Sequence, residues 1–216
     1  MNKEYKREEV SKQRFIWSDQ HFSHENILKF TTSEGKKVRD FPSVEHMDNT
    51  MIERYNKTVS QRDTCYFVGD VSMNRKYLTK LKELNGRKIL IKGNHDIFDL
   101  DLYLEYFDDI RAYHVTNRCI ISHIPVHTEE LKRFGLNIHG HTHTYRVLDD
   151  KGNVDKRYAC VCVEQLNYTP VKLDAFIHTA WEEMMKYRLE NNLPMREKER
   201  KKNEKIESDK GIGLSC

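Results

Sequence analysis

The stretch Ile89-Leu90-Ile91-Lys92-Gly93-Asn94-His95-Asp96 begins as an enclosed strand and ends in a polar cluster. Three consecutive apolar residues halted just short of a glycine read as a strand buried on both faces. Amide, imidazole and carboxylate then follow in successive positions, which puts chemistry at a strand end. The pattern recurs four times. Phe15-Ile16-Trp17 leads into Ser18-Asp19-Gln20-His21, and Cys65-Tyr66-Phe67-Val68 into Gly69-Asp70. Cys119-Ile120-Ile121 leads into Ser122-His123, and Leu136-Asn137-Ile138 into His139-Gly140-His141-Thr142-His143.

Helical periodicity fills the intervals. Val44, Met47, Met51, Ile52, Tyr55 and Val59 share one face, with Pro42-Ser43 as a start signal. Tyr77, Leu78, Leu81 and Leu84 make a second face, closed by Asn85-Gly86. Strands alternating with helices predict a layered α/β fold. Closer spacing of the later strands (110–115, 118–122 and 158–163) predicts an antiparallel portion too. Beyond Thr169-Pro170 an amphipathic helix is expected over 178–193. The run from Pro194 to Lys210 follows, where seven basic and five acidic residues nearly cancel. Residues 1–13 read as an N-terminal extension, 14–177 as the domain, and 194–216 as a charged, disordered tail.

Composition narrows the classes. A net charge of +3 gives no argument for a polyanionic partner. Five cysteines, odd in number and without paired spacing, read as thiols of a reduced cytosolic protein. Cys160 and Cys162 alternate on an expected strand, as small buried hydrophobes would. No window is long and apolar enough for a membrane span, and the charged start lacks a signal peptide's apolar segment.

Three of the chain's 11 histidines fall within residues 138–143. Crowded imidazoles repel one another when protonated, so a metal ion is the first candidate for keeping them neutral. In an α/β sheet, functional groups gather past the carboxyl ends of strands. Asp19 and His21 are two residues apart, as are His141 and His143, so an extended backbone would aim each pair one way. The collected set is Asp19, His21, Asp70, Asn94, His123, His141 and His143. Carboxylate, amide and imidazole without thiolate suit manganese, iron or zinc better than calcium or magnesium. Seven ligands around one central carboxylate fit two ions sharing Asp70, an arrangement suited to phosphoryl displacement.

The ordered series Asp-x-His, Gly-Asp, Gly-Asn-His-Asp, His and Gly-His-x-His, from Asp19 to His143, resembles the calcineurin-like metallophosphoesterase superfamily. The likeness covers roughly 14–173. It implies an α/β/β/α sandwich of two mixed sheets flanked by helices, and two divalent transition-metal ions, manganese first, with iron, zinc or nickel as alternatives. Asp19, His21 and His143 would hold one ion and Asn94, His123 and His141 the other, with Asp70 bridging them. His95 matches the catalytic histidine. His139 matches no ligand. The Asp-x-His-Phe-x-His stretch from Asp19 to His24 resembles small bacterial and viral members, which implies cytoplasmic localisation, in the host if the gene is viral. His24 would touch the phosphate or brace His21, and Asn94 and His95 would also face substrate. Asp96 is either an orienting group or a turn residue, and Asn56 a hydrogen-bond brace.

The implied reaction is hydrolysis of a phosphodiester, nucleotide-like or another small phosphoester, by a hydroxide bridging the metals. Gly69-Asp70-Val71-Ser72-Met73-Asn74-Arg75 lacks the Arg-Gly that follows this aspartate in the phosphoprotein phosphatases, and Asp96 replaces their glutamate. Two other functions fit the same residues. One is a nuclease for short RNA or DNA ends, and the other a metal-stabilised interaction module without catalysis.

Overall fold

The computed structural model describes residues 12–194. The expected extension and tail fall almost wholly outside the described residues, as does Cys216. In the first sheet β1 (Arg14–Trp17), β2 (Thr64–Phe67), β3 (Arg87–Ile91) and β4 (Asp109–Arg111) run parallel. β9 (Val171–Lys172) pairs antiparallel with β1, giving the order β4-β3-β2-β1-β9. The second sheet comprises β5 (His114–Thr116), β6 (Cys119–Ser122), β7 (Leu136–His139) and β8 (Tyr158–Cys160), in that order. Its first pair is antiparallel and the rest parallel. Two mixed sheets flanked by helices are thus the architecture.

Strand alternation sorts the core into two bodies. Phe15, Trp17, Cys65, Phe67 and Leu90 face α1 (Val44–Thr58) and pack with its Met47, Met51 and Tyr55. The intervening Ile16, Tyr66, Ile89 and Ile91 face the second sheet and pack with Cys119, Ile121, Leu136 and Ile138. Helix α1 starts at Ser43, whose hydroxyl accepts the His46 amide at 3.1 Å, satisfying one of the donors a helix start leaves bare. The expected Tyr77–Leu84 helix is 3₁₀, spanning Arg75–Glu83. Leu78, Leu81 and Leu84 are all buried at spacing three, the period at which 3₁₀ side chains align. Asn56 ties this segment to α1 from the end of the helix. It donates to Glu83 O at 2.8 Å and accepts the Asn85 amide at 2.9 Å.

Three expectations are corrected. The single strand over 110–115 is two strands in different sheets, β4 beside β3 and β5 beside β6. Both pieces are extended, so the change of sheet comes from the partners rather than from the local run. The strand expected over 158–163 ends at Cys160. Beyond it Val161 donates to His139 O at 2.8 Å and Val163 to Ser18 O at 3.0 Å, so the chain passes from β7 to the end of β1 and ties the sheets together. The last helix, α4, runs Leu173–Glu190 and does not begin at His178. It follows β9 directly, and its buried Leu173, Ile177 and Met184 belong to the core shared with the second sheet. The helix is therefore part of the body. Two further α-helices, α2 (Leu100–Leu104) and α3 (Leu131–Phe134), are short, as are the 3₁₀ turns Glu25–Lys29 and Thr128–Glu130. Cys65, Cys119, Cys160 and Cys162 are buried free thiols. Among the described residues no helix is long and apolar enough to cross a membrane.

Met184 is fully buried while Ser43 is a surface cap. Met184→Ala should cost about 2–5 kcal/mol of stability and Ser43→Ala roughly 1 kcal/mol, read from urea unfolding. A Met184 effect no larger than that of the cap would mean that α4 is peripheral.

Candidate metal centre

Strands β1, β2 and β3 of one sheet and β6, β7 and β8 of the other send the segments after their carboxyl ends to one seam. A parallel bridge between Ser18 and Cys162 closes it. Asp19, His21, Asp70, His141 and His143 all have left-handed backbones, with φ between +49° and +69°. The extended geometry expected for Asp-x-His and His-x-His is therefore corrected. The pairs converge through tight turns held by neighbouring strand ends, where Asp19 N donates to Gly69 O and His21 N to Asp70 O, each at 3.0 Å. The loops after β2 and β3 meet backbone to backbone. A Cβ on Gly69 would lie 2.6 Å from Gly93 Cα, so both positions need glycine.

Two groups of donor atoms result. Asp19, His21 and His143 form one, and Asp70, His123 and His141 the other, with the ligand atoms of each group within 4.8 Å of one another. Asn94 adjoins the second, its Oδ1 2.8 Å from His123 Nε2. Asp70 faces both groups. Its Oδ2 is 3.8 Å from His21 Nε2 and 3.3 Å from His123 Nε2, while its Oδ1 accepts the His95 amide at 2.8 Å.

These residues fit metal ions on several counts. Asp19 Oδ2 accepts from Ser18 Oγ, from the His141 amide at 2.9 Å and from Cys162 Sγ at 3.2 Å. Its Oδ1 is buried with no hydrogen-bond partner, 3.9 Å from His21 Nε2 and 3.8 Å from His143 Nε2. Both ring nitrogens of the buried His21 are also unpartnered. Such spacings are too long for hydrogen bonds, yet near the ~3.0–3.4 Å edge of a coordination shell with ligands ~2.1 Å from an ion. Carbonyl and carboxylate oxygens can only accept, which sets two tautomers. His123 Nδ1 donates to Val68 O at 2.7 Å and His143 Nδ1 to Glu164 Oε1 at 2.9 Å, so each ring presents Nε2 to the seam.

Electrostatics bear the same mark. Burial pushes the Asp19 carboxyl up and the His21 imidazole well down. Burial opposes charge on His123 also, but the hydrogen bond to Asp70 and the charges of Asp19 and Asp70 outweigh it and hold the imidazole at about 9. Asp70 is correspondingly held at about 2, against its own burial, chiefly by His123. The seam therefore attracts positive charge, and in the metal-free protein a proton supplies some of it.

His95 is half-buried, its ring centroid 5.8 Å from that of His21. The His24 ring centroid is 5.7 Å from that of His21, its Nδ1 unpartnered. Asp96 is fully buried and accepts the amides of Asp70 at 2.8 Å, Val71 at 3.1 Å and Gly93 at 2.8 Å, so it orients the loop that carries Asp70. His139 is buried, with Nδ1 donating to Gly140 O at 2.8 Å. Burial lowers its imidazole to about 4, so it braces the turn as a neutral ring. Two residues went unremarked in the sequence. Glu164 follows the apolar run Val161-Cys162-Val163, the same signal that marked the other strand ends. Arg39 carried no signal at all.

Fold and site together define an α/β protein of two mixed sheets with a candidate metal centre at their seam. The chain is 32% identical over 169 residues to the uncharacterized protein MJ1445 of Methanocaldococcus jannaschii, covering 76% of this chain and 88% of that one, and belongs to the same family. The crystal structure of AQ665, a protein of unknown function from Aquifex aeolicus, has the same fold. Its TM-score is 0.56 at 27% identity, over 78% of this chain and 100% of the other. An archaeal phosphodiesterase aligns more loosely, with TM-score 0.40 at 20% identity over 69% of this chain and 82% of its own. No protein-family model matches the chain.

The His123–Asp70 pair predicts a pH dependence for the chelated protein. His123 is raised from 6.5 to about 9 on folding. Its contribution is fully present below the unfolded value and is lost as pH rises through the folded one. The Tm of metal-free protein should fall between pH 6.5 and 9, and His123→Asn should flatten that slope. An unchanged slope in the variant would assign the titration elsewhere.

Proposed function

We propose that the chain is a dinuclear-metal-dependent phosphoesterase that hydrolyses a phosphodiester, of the calcineurin-like metallophosphoesterase type. The carrying observation is Asp70, a buried carboxylate facing two separate groups of histidine and carboxylate donors across 3.3–3.8 Å. Asp19, His21 and His143 would hold one ion, Asn94, His123 and His141 the other, and Asp70 both. Two divalent transition-metal ions bound there, with manganese the first choice, would lower the pKa of a coordinated water and take up charge on phosphoryl oxygens.

The remaining work falls to the chain's own side chains. The His95 amide holds the Asp70 carboxylate, and Asp96 holds the backbone that carries it, so its two faces would stay fixed through turnover. His123 and His143, pinned through Nδ1, cannot rotate away from the seam. The half-buried His95 ring lies beside His21, where a protonated imidazole would give its proton to a departing alkoxide. His24 and Asn94, with His95, would contact the phosphate. The absence of Arg-Gly after Asp70 removes a clamp for a dianionic phosphate, which favours diesters over monoesters.

EDTA should abolish turnover of bis-(p-nitrophenyl) phosphate and Mn²⁺ restore it, with kcat/KM exceeding that for p-nitrophenyl phosphate. Activity surviving exhaustive removal of metal, verified by elemental analysis, would refute the metal requirement. A strong monoester preference would overturn the substrate class alone. Asp70→Ala should lose more bound metal than His95→Ala. His95→Ala should be impaired far more on a ribose-leaving diester than on a nitrophenyl one, as loss of a general acid requires. Equal impairment on both would remove His95 from that role.

A further inference from the structure

Arg39 is almost wholly buried, and its guanidinium reaches three oxygen acceptors at once, with Met47 Sδ also 3.5 Å from Nη1. Nη2 donates to Asp19 O at 2.5 Å, Nη1 to Gln20 O at 2.7 Å and Nε to Glu164 Oε1 at 2.7 Å. That same Glu164 oxygen accepts His143 Nδ1 at 2.9 Å, and neighbouring Gln165 donates to His143 O at 2.8 Å. One planar fork thus grips the left-handed turn carrying Asp19 and His21 and, through Glu164, the ring of His143. Those are the three residues of the first donor group. The second group has different supports: Asp96 behind Asp70, and Val68 O behind His123. Two hydrogen bonds join the groups directly, the His141 amide on Asp19 Oδ2 and the His21 amide on Asp70 O, and neither involves Arg39 or Glu164.

We propose that Arg39 and Glu164 are positioning residues for the Asp19–His21–His143 group, setting the affinity of that one ion site while leaving the Asp70–His123–His141 site to its own supports. This rests on the dinuclear reading above. A guanidinium suits the task because its donors are fixed in one plane, so the turn and the carboxylate are held in a set relation; a lysine ammonium has no such plane. Glu164 in turn orients the imidazole and fixes its tautomer, a role whose loss commonly weakens metal binding by roughly 10–100-fold.

The test is Mn²⁺ titration of metal-free wild type, Glu164→Gln and Arg39→Lys by calorimetry, with electron paramagnetic resonance to separate coupled Mn²⁺ pairs from single ions. Wild type should bind two ions and give the coupled signal. Each variant should keep one ion at wild-type affinity, bind the other roughly 10–100-fold more weakly, and show an isolated-ion spectrum at one equivalent. In a His143→Asn background, Glu164→Gln should add little further loss, since it acts through that ring. Two ions bound with wild-type affinity by both variants would overturn the inference and leave the dinuclear reading standing. Equal weakening of both ions would also overturn it, marking a general structural role. Should Glu164→Gln fail to fold, Arg39→Lys decides alone. Wild type binding fewer than two ions would refute the dinuclear reading itself.

Discussion

Asp19 and Asp70 carry two carboxylates into a seam with almost no solvent exposure, where each makes the other harder to ionise. Removing an ion from water costs several kcal/mol even after the protein relaxes, so such a pair persists only with positive charge and donors arranged around it. The backbone supplies amides to both, from His141 and His95, and the histidines supply rings that can carry a proton or meet a cation. One oxygen of Asp19 is still left bare. An arrangement that satisfies one oxygen three times over and leaves its twin without a partner is organised around something positive.

That constraint reaches the backbone. Five donor residues take left-handed conformations, each costing of order 1–3 kcal/mol in a residue with a Cβ. Aspartate and histidine are among the types that tolerate this region best, so the residues suited to ligation are also those suited to the turns. The loops that make the turns close against each other where side chains would not fit. At Gly140 a Cβ would strike Ser18 Oγ and Asp19 Oδ2. The donor geometry is therefore held by strand ends packed on strand ends.

The two donor groups are supported by separate means, which follows from the topology. Asp70 belongs to the first sheet and is steadied from β3's following loop by Asp96. His143 belongs to the second sheet, and its brace crosses back to the first through Glu164 and Arg39. The crossing matters because the sheets share little backbone hydrogen bonding at this edge beyond the Ser18–Cys162 bridge and its neighbours. Side chains buried between them take over the task of keeping the two halves in register.

The sequence by itself determined which residues would stand at the seam. Short apolar runs, each ended by glycine or a polar cluster, located the ends of β1, β2, β3, β6 and β7, because burial and chain reversal are local requirements written in neighbouring residues. The same signal, an apolar run ended by a polar residue, stands at Val161-Cys162-Val163-Glu164. Only the tertiary structure decided how those ends meet. The run 110–115 changes sheet because β3 and β6 claim its two halves, and α4 begins at Leu173 because the core beneath it starts there. Asp96 could be an orienting group or a turn residue until three amides were seen to converge on it. Arg39 has no local signature, since its partner Glu164 lies 125 residues away and its other acceptors are backbone carbonyls that any sequence would offer. Contacts of that kind depend on where the chain returns in space, which no periodicity along it encodes.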